Sequence, residues 1–166
     1  MTYEEAAAAI LPGLYQHFKG NYYRVISIAR HSETTEPMVV YQALYADSGI
    51  CVRPAVMWNE ILERDGKAVR RFRPLSRTER IAFYEQIYDE LLAASHKAAA
   101  VVSAERISTC DNMQMKVRLL DEYYTSGEWR EDYEADEAGL LPADLKRGVL
   151  SQDGVYDLLT EIGSWE

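Results

Sequence analysis

The sequence predicts an α+β protein with two domains, a β-unit at residues 1–75 and an acidic helical unit at residues 76–166. Residues 13–74 alternate short runs of β-branched and aromatic side chains with glycine-containing turns, which is typical of a meander of short strands. By contrast, neither glycine nor proline occurs between Leu75 and Gly127, so nothing in that stretch strongly interrupts a helix. We therefore expect a small sheet followed by helices.

A short helix is expected to precede the sheet, because Thr2 and Glu5 have the spacing of a capping box. Strands are then predicted at residues 13–18, 22–30, 38–45, 50–53 and 67–73. A helical turn is predicted within Ala55–Leu62, and Asp65-Gly66 predicts a tight turn before the last strand. Five short strands with hairpin turns predict a small, strongly bent antiparallel sheet or an SH3-like or PUA-like barrel, with an open, helix-covered sheet as the alternative.

The helical unit begins at a second capping box, Ser76-Arg-Thr-Glu79, after which apolar residues recur at heptad-like spacing. One unbroken helix over residues 77–124 would be about 70 Å long and could not bury its apolar stripe within so small a chain. We therefore predict a helical hairpin that breaks at Ser108–Asn112, where capping residues cluster. A long helix that associates with a second copy is the alternative.

Three features are predicted after the hairpin. Ser126-Gly127 ends the second helix, and the acidic, aromatic-containing segment Glu128–Asp144 is interpreted as an ordered loop. Leu145–Leu150 is interpreted as a helix start or docking turn, since it lacks the several glycines of a phosphate loop. Ser151 is expected to cap a C-terminal helix.

Charge differs sharply between the two units. The chain carries a net charge of −9, of which residues 1–75 contribute nine basic and eight acidic side chains and the rest nine basic and nineteen acidic. The helical unit should repel phosphates, so nucleic acid is expected only at residues 1–75. Arg70, Arg71 and Arg73 form a candidate basic patch there, although solvated arginines are the simpler interpretation.

Cysteine content and the N-terminal sequence bear on the cellular compartment. Cys51 and Cys110 are the only cysteines and form no CxxC motif, which favours a reducing setting over a disulfide framework. The N-terminal segment has no basic stretch, and the apolar run Ala6–Leu11 is too short for a signal sequence or a membrane span. We therefore expect a soluble cytoplasmic protein without membrane contact.

Two sets of motifs resemble known families. The first set is His17–Gly20, His31–Thr34, Val39–Tyr45, Val52–Pro54 and Met57-Trp58. It closely resembles a bacterial family known as domain of unknown function 1653, over about residues 12–74. The second set is Leu120–Tyr124, Ser126–Trp129, Asp132–Glu134 and Leu145–Ser151. It resembles domain of unknown function 4298, over about residues 77–161. The resemblance implies two domains and a bacterial, cytosolic protein, and it supplies neither reaction nor ligand.

Catalytic and metal sites find little support in the sequence. His31-Ser32-Glu33 contains the residue types of a triad, but neighbours in an extended chain point to opposite sides and no glycine elbow surrounds the serine. His17 and His31 flank a predicted strand about 30 Å long, and His96 lies in the helical unit. Three or four converging metal ligands therefore cannot be assembled, and neither a metal nor a cofactor is predicted.

One end of the predicted sheet gathers a candidate ligand site. The connection after the second strand lies at this end, and the fourth strand returns to it. The predicted ligand-binding residues are His31, Ser32, Glu33, Thr34, Arg53 and Trp58. Together they would suit a planar or anionic ligand. The structural alternative is that Glu33 pairs with Arg53, His31 caps a backbone carbonyl and Trp58 fills the core.

The opposite end of the sheet carries Lys19-Gly20-Asn21, near Asp47. We interpret this stretch as a solvated turn in preference to a phosphate site, because glycine and asparagine suit its backbone geometry.

The leading hypothesis from the sequence is a non-enzymatic binding module. The β-unit would recognise a small molecule, a peptide or a nucleic-acid feature, and the acidic helical hairpin would contact a protein partner or cover the barrel. The alternative is an enzyme of nucleotide or RNA metabolism, with His31 and Glu33 in acid–base roles. A third interpretation is purely structural, with the His31 end fully packed. The sequence leaves the ligand and the oligomeric state open.

Overall fold

The structure is a computed structural model, and it describes residues 1–45, 48–100 and 111–163. The chain divides into two compact units, Met1–Leu75 and Ser76–Glu166. None of the helices in the described ranges combines the length and apolar character that crossing a bilayer requires.

The β-unit contains seven strands and two short helices among its described residues. In chain order they are α1 (Tyr3–Ala9), β1 (Gly13–His17), β2 (Tyr22–Arg30), β3 (Pro37–Ala43), β4 (Ile50–Pro54), α2 (Ala55–Trp58), β5 (Ile61–Arg64), β6 (Lys67–Arg70) and β7 (Phe72–Pro74). Five strands form an antiparallel sheet in the order β4-β3-β2-β1-β7, and β5 and β6 form a separate hairpin. The predicted α+β class and five-stranded antiparallel sheet are confirmed.

The barrel interpretation is wrong, because the sheet is not closed: β4 and β7 are its two edges in the described chain. Trp58, at the end of α2, is fully buried and stacks on Phe72 of β7 at a ring-centroid distance of 3.8 Å. The guanidinium of Arg53 on β4 lies 5.8 Å from the same ring. The sheet therefore bends strongly enough for both edges to meet over one aromatic core.

The predicted last strand is divided in two, and β5 was not predicted. The division falls at Arg71, whose backbone N–H donates to the carbonyl of Glu60 and whose carbonyl accepts from the N–H of Phe18. Arg71 therefore links the β5–β6 hairpin to the sheet. Asp65 and Gly66 form the predicted tight turn with φ values of 51° and 72°.

The helical unit contains four α-helices and one short 3-10 turn within the described residues. They are α3 (Arg77–Ala100), α4 (Asp111–Tyr124), α5 (Gly127–Glu137), the 3-10 turn Gly148–Leu150 and α6 (Gln152–Gly163). The α3 and α4 helices run antiparallel, as the predicted hairpin requires: Tyr84 stacks on Tyr123 at 3.8 Å, and Glu90, one and a half turns later in α3, pairs with the earlier Lys116. The predicted break at Ser108–Asn112 lies largely outside the described residues.

The loop prediction for Glu128–Asp144 is wrong in its first part, because α5 occupies Gly127–Glu137. The Ser126 hydroxyl accepts the backbone N–H of Trp129 and caps this helix. Its buried residues are Asp132 and Ala135, so the face that contacts the core lacks the apolar stripe on which helix prediction depends.

Candidate functional site

The predicted His31–Thr34 segment is an exposed turn held by its own backbone. The N–H of Thr35 donates to the carbonyl of His31. The Nδ1 atom of His31 accepts the backbone N–H groups of Glu33 and Thr34, each at 3.3 Å. The imidazole therefore stabilises the turn by accepting N–H groups, whereas the structural alternative expected it to cap a carbonyl.

Arg53 and Trp58 lie together against Phe72 and not in that turn. Trp58 is fully buried, with Tyr15 and Tyr41 around it at ring distances of 5.5 and 5.0 Å. Its Nε1 atom has no hydrogen-bond acceptor among the described residues. Glu33 forms no ion pair with Arg53 in the part of the chain that the structure describes.

A different concavity of the β-unit is lined by basic and aromatic side chains. It is a cleft of about 370 Å³, which we call the basic cleft. It is lined by Gln16, His17, Phe18, Gly20, Val69, Arg70 and Arg73. These residues include two arginines and a histidine but no carboxylate, so the lining favours an anion.

Strand pairing brings the two sides of the basic cleft together. β1 pairs with β7 so that Gln16 lies opposite Arg73 and His17 opposite Phe72. A terminal nitrogen of the Arg73 guanidinium donates to Oε1 of Gln16 at 2.6 Å, which orients the guanidinium beside the cleft. Arg70 is exposed at the end of β6.

His17 is held in a fixed orientation within a cationic environment. Its Nδ1 atom accepts the backbone N–H of Lys19 at 3.3 Å, so the neutral ring carries its proton on Nε2. Burial lowers the pKa of His17, and the charges of Arg71, Lys19 and Arg53 lower it further. The imidazole is therefore predominantly neutral at pH 7 and can donate through Nε2.

Phe18 gives the basic cleft an aromatic surface. Its ring lies 4.3 Å from that of His17, and the charged groups of Lys19 and Arg64 lie 5.9 and 5.5 Å from its centroid. Arg71 also lies nearby, but its guanidinium is paired with the carboxylate of Glu60. The cleft thus combines cations with a flat apolar ring.

The sequence analysis identifies the residues on both sides of the basic cleft, but it does not predict that the two sides lie close together. The sequence predicts the Lys19-Gly20 turn and a candidate basic patch at Arg70, Arg71 and Arg73, and it favours a solvated role for each. The pairing of the first strand with the last is what places them together. A signal for that pairing was not available from residue types alone, because a meander also permits other edge arrangements.

The described residues contain no cluster of three or more histidine, cysteine, aspartate or glutamate side chains that could hold a metal ion.

Comparison with known proteins confirms both predicted resemblances. Residues 13–74 match the model of a protein family of unknown function, DUF1653, and residues 81–164 match that of a domain of unknown function, DUF4298. The chain is also similar to a DUF1653 protein from Bordetella bronchiseptica whose crystal structure is known. The two are 35% identical, with a TM-score of 0.39, over 42% of this chain and 91% of that one. No curated protein matches the chain.

Proposed function

The chain belongs to the DUF4298 family, whose model matches the helical unit. We propose that the β-unit is a binding module that takes a small phosphate-bearing ligand in the basic cleft. The observation that carries the proposal is the lining of that cleft, whose described residues include Arg70 and Arg73 and no carboxylate. Guanidinium groups bind phosphate oxygens through paired, charge-assisted hydrogen bonds. The volume of about 370 Å³ suits a small molecule.

Two further features narrow the ligand class. The neutral His17 offers its Nε2–H as a single hydrogen-bond donor, because Nδ1 already accepts from the Lys19 backbone. Phe18 offers an aromatic face on which a planar ring can stack. A phosphate joined to a planar heterocycle, as in a nucleoside monophosphate, matches both features and the two arginines together.

Isothermal titration of the full chain with adenosine 5′-monophosphate tests this proposal, with adenosine and inorganic phosphate as comparison probes. The monophosphate should bind saturably, and adenosine should bind far more weakly. Arg70→Gln and Arg73→Gln should each weaken binding about tenfold or more, since a hydrogen bond to a charged group contributes about 1.5–3 kcal/mol. Arg130→Gln, an exposed position on α5, removes the same charge away from the cleft and should leave binding unchanged.

Two results would reject the phosphate ligand: equal affinity for adenosine and its monophosphate, or equal losses in all three arginine variants. The second would mean that net charge alone attracts the nucleotide. A single-stranded RNA oligonucleotide is the last probe. Tighter binding than the monophosphate, with the same sensitivity to Arg70→Gln, would extend the ligand class to nucleic acid.

The enzyme hypothesis with His31 and Glu33 as acid and base has less support. An acid–base pair needs both groups within hydrogen-bond reach of a substrate in a pocket. Both side chains are exposed in their turn, the Nδ1 atom of His31 is used by backbone N–H groups, and neither residue lines the basic cleft.

A further inference from the structure

The helical unit contains its own concavity, of about 440 Å³, which we call the acidic groove. Ala82, Glu85 and Asp89 of α3 line one part of it, and Asp144, Leu145 and Lys146 line another. Three carboxylates and an apolar lining around a volume of this size match a small cationic ligand better than an anion. The net charge of −10 on residues 76–166 raises the local concentration of cations around it.

Glu85 makes the acidic groove more than a cluster of surface acids. Glu85 is only 4% exposed. Its Oε2 atom accepts the backbone N–H of Val149 at 2.7 Å, whereas its Oε1 atom has no hydrogen-bond donor among the described residues. A buried carboxylate oxygen without a donor is costly, so a donor placed against it is strongly favoured.

Lys146 lies at the approach to that oxygen and pairs with it as an ion pair, at a distance longer than a hydrogen bond. Its ammonium contacts both carboxylate oxygens of Asp89, and the hydrogen bonds to Asp89 raise the pKa of Lys146. The same nitrogen stays 3.6 Å from Oε1 of Glu85, an ion-pair distance beyond a good hydrogen bond. The lysine side chain is 66% exposed, and an exposed ion pair is weak and easily exchanged.

We propose that the acidic groove binds a linear aliphatic diamine, one ammonium of which replaces that of Lys146 between Glu85 and Asp89. The methylene chain would pack along Ala82 and Leu145, and Asp144 would receive the second ammonium. In the unliganded protein, Lys146 then occupies the position of the ligand's ammonium, since its side chain presents the same primary ammonium on the same kind of alkyl chain. This site lies in a different unit from the basic cleft, so the two proposals stand independently.

Isothermal titration of 1,4-diaminobutane into the full chain at physiological ionic strength tests the proposal. Asp89→Asn should weaken binding about tenfold or more, because it removes one charged acceptor of the ammonium. Lys146→Ala should tighten binding, because it removes the competing ammonium. Glu131→Gln changes net charge as Asp89→Asn does, at an exposed position on α5 away from the groove, and should change the affinity less than about twofold.

Three outcomes would overturn the proposal. Equal losses in Asp89→Asn and Glu131→Gln would show that amines gather around the acidic surface without a site. Weaker binding in Lys146→Ala would show that Lys146 supports the ligand and does not compete with it. Equal affinity for n-butylamine and the diamine would exclude the second ammonium contact. Glu85→Gln should remove diamine binding, provided that circular dichroism shows a folded protein. If this variant does not fold, the affinities of Asp89→Asn and Lys146→Ala still test the proposal.

Discussion

The two units bury different kinds of groups at their centres. The β-unit surrounds Trp58 with Tyr15, Tyr41 and Phe72, ring against ring. The helical unit places an ionic network beside its aromatic stack: the guanidinium of Arg80 forms two hydrogen bonds with the fully buried carboxylate of Asp132. The elements around the first core are therefore held in place mainly by the packing of aromatic rings. Those around the second core are held by hydrogen-bond geometry as well.

The ionic network explains why a helix of acidic composition lies against a core. Asp132 also accepts the hydroxyl of Tyr123 at 2.7 Å, and Glu128 adds a second contact to Arg80. Burial raises the pKa of Tyr123, and its hydrogen bond to Asp132 raises it further, so the hydroxyl stays protonated and donates. In this way α3, α4 and α5 are all joined through one carboxylate.

The largest expected effect comes from the aromatic core. Trp58→Ala should destabilise the β-unit by about 3–5 kcal/mol, because it removes a fully buried ring from between three others and leaves a cavity. Urea denaturation followed by hydrogen exchange on peptides of each unit measures the change separately in the two units. The control is Val56→Ala, an exposed position on the same helix, which should cost little. A loss in Trp58→Ala no larger than in the control would show that Trp58 does not hold the two sheet edges together.

The ionic core should respond to the loss of one charge. Asp132→Asn keeps the shape of the side chain but removes the negative charge that pairs with the partly buried guanidinium of Arg80, and we expect a cost of about 3 kcal/mol. The same exchange measurement should place the loss in α3 and α5. Asp153→Asn, an exposed position on α6, is the matched control. If Asp132→Asn and its control unfold at the same urea concentration, the hydrogen bonds of Asp132 do not contribute to the stability of the helical unit.

The difference between the two cores also explains what the sequence could and could not predict. The strands β1 to β4 and the capping box at Thr2 follow from local residue patterns, and the structure contains them. The α5 helix was missed because its buried face contains an aspartate, whose partner Arg80 is 52 positions away. The same limit applies to the candidate site. The basic cleft depends on the pairing of β1 with β7, which the local pattern does not encode.

A smaller effect should follow from added volume beside Glu85. A Cβ atom at position 148 would lie 2.9 Å from Oε1 of Glu85 and 3.1 Å from the ring of Tyr88. Gly148→Ala should therefore cost about 1–2 kcal/mol, since the Glu85 side chain is held by the Val149 backbone and cannot move freely. Gly127→Ala is the control and should be neutral or slightly stabilising, because an added Cβ there would meet no described side chain within 4 Å. Equal melting temperatures for the two variants would contradict this tight packing.

The smallest expected effect is a pH dependence of stability that His17 causes in the β-unit and that His96 does not cause in the helical unit. The pKa of His17 is lowered in the folded state, first by burial and then by its cationic neighbours, so the unfolded chain takes up the proton more readily. The contribution of His17 to stability is therefore fully present above its ordinary pKa of about 6.5 and is lost as the pH falls through the folded value. Denaturation midpoints of the β-unit at pH 7.5 and pH 5.5 should differ less in His17→Gln than in the unmodified chain. The control is His96→Gln, an exposed position on α3, which should leave the difference between the two midpoints intact. If His17→Gln also leaves that difference unchanged, groups other than His17 cause the loss of stability at low pH.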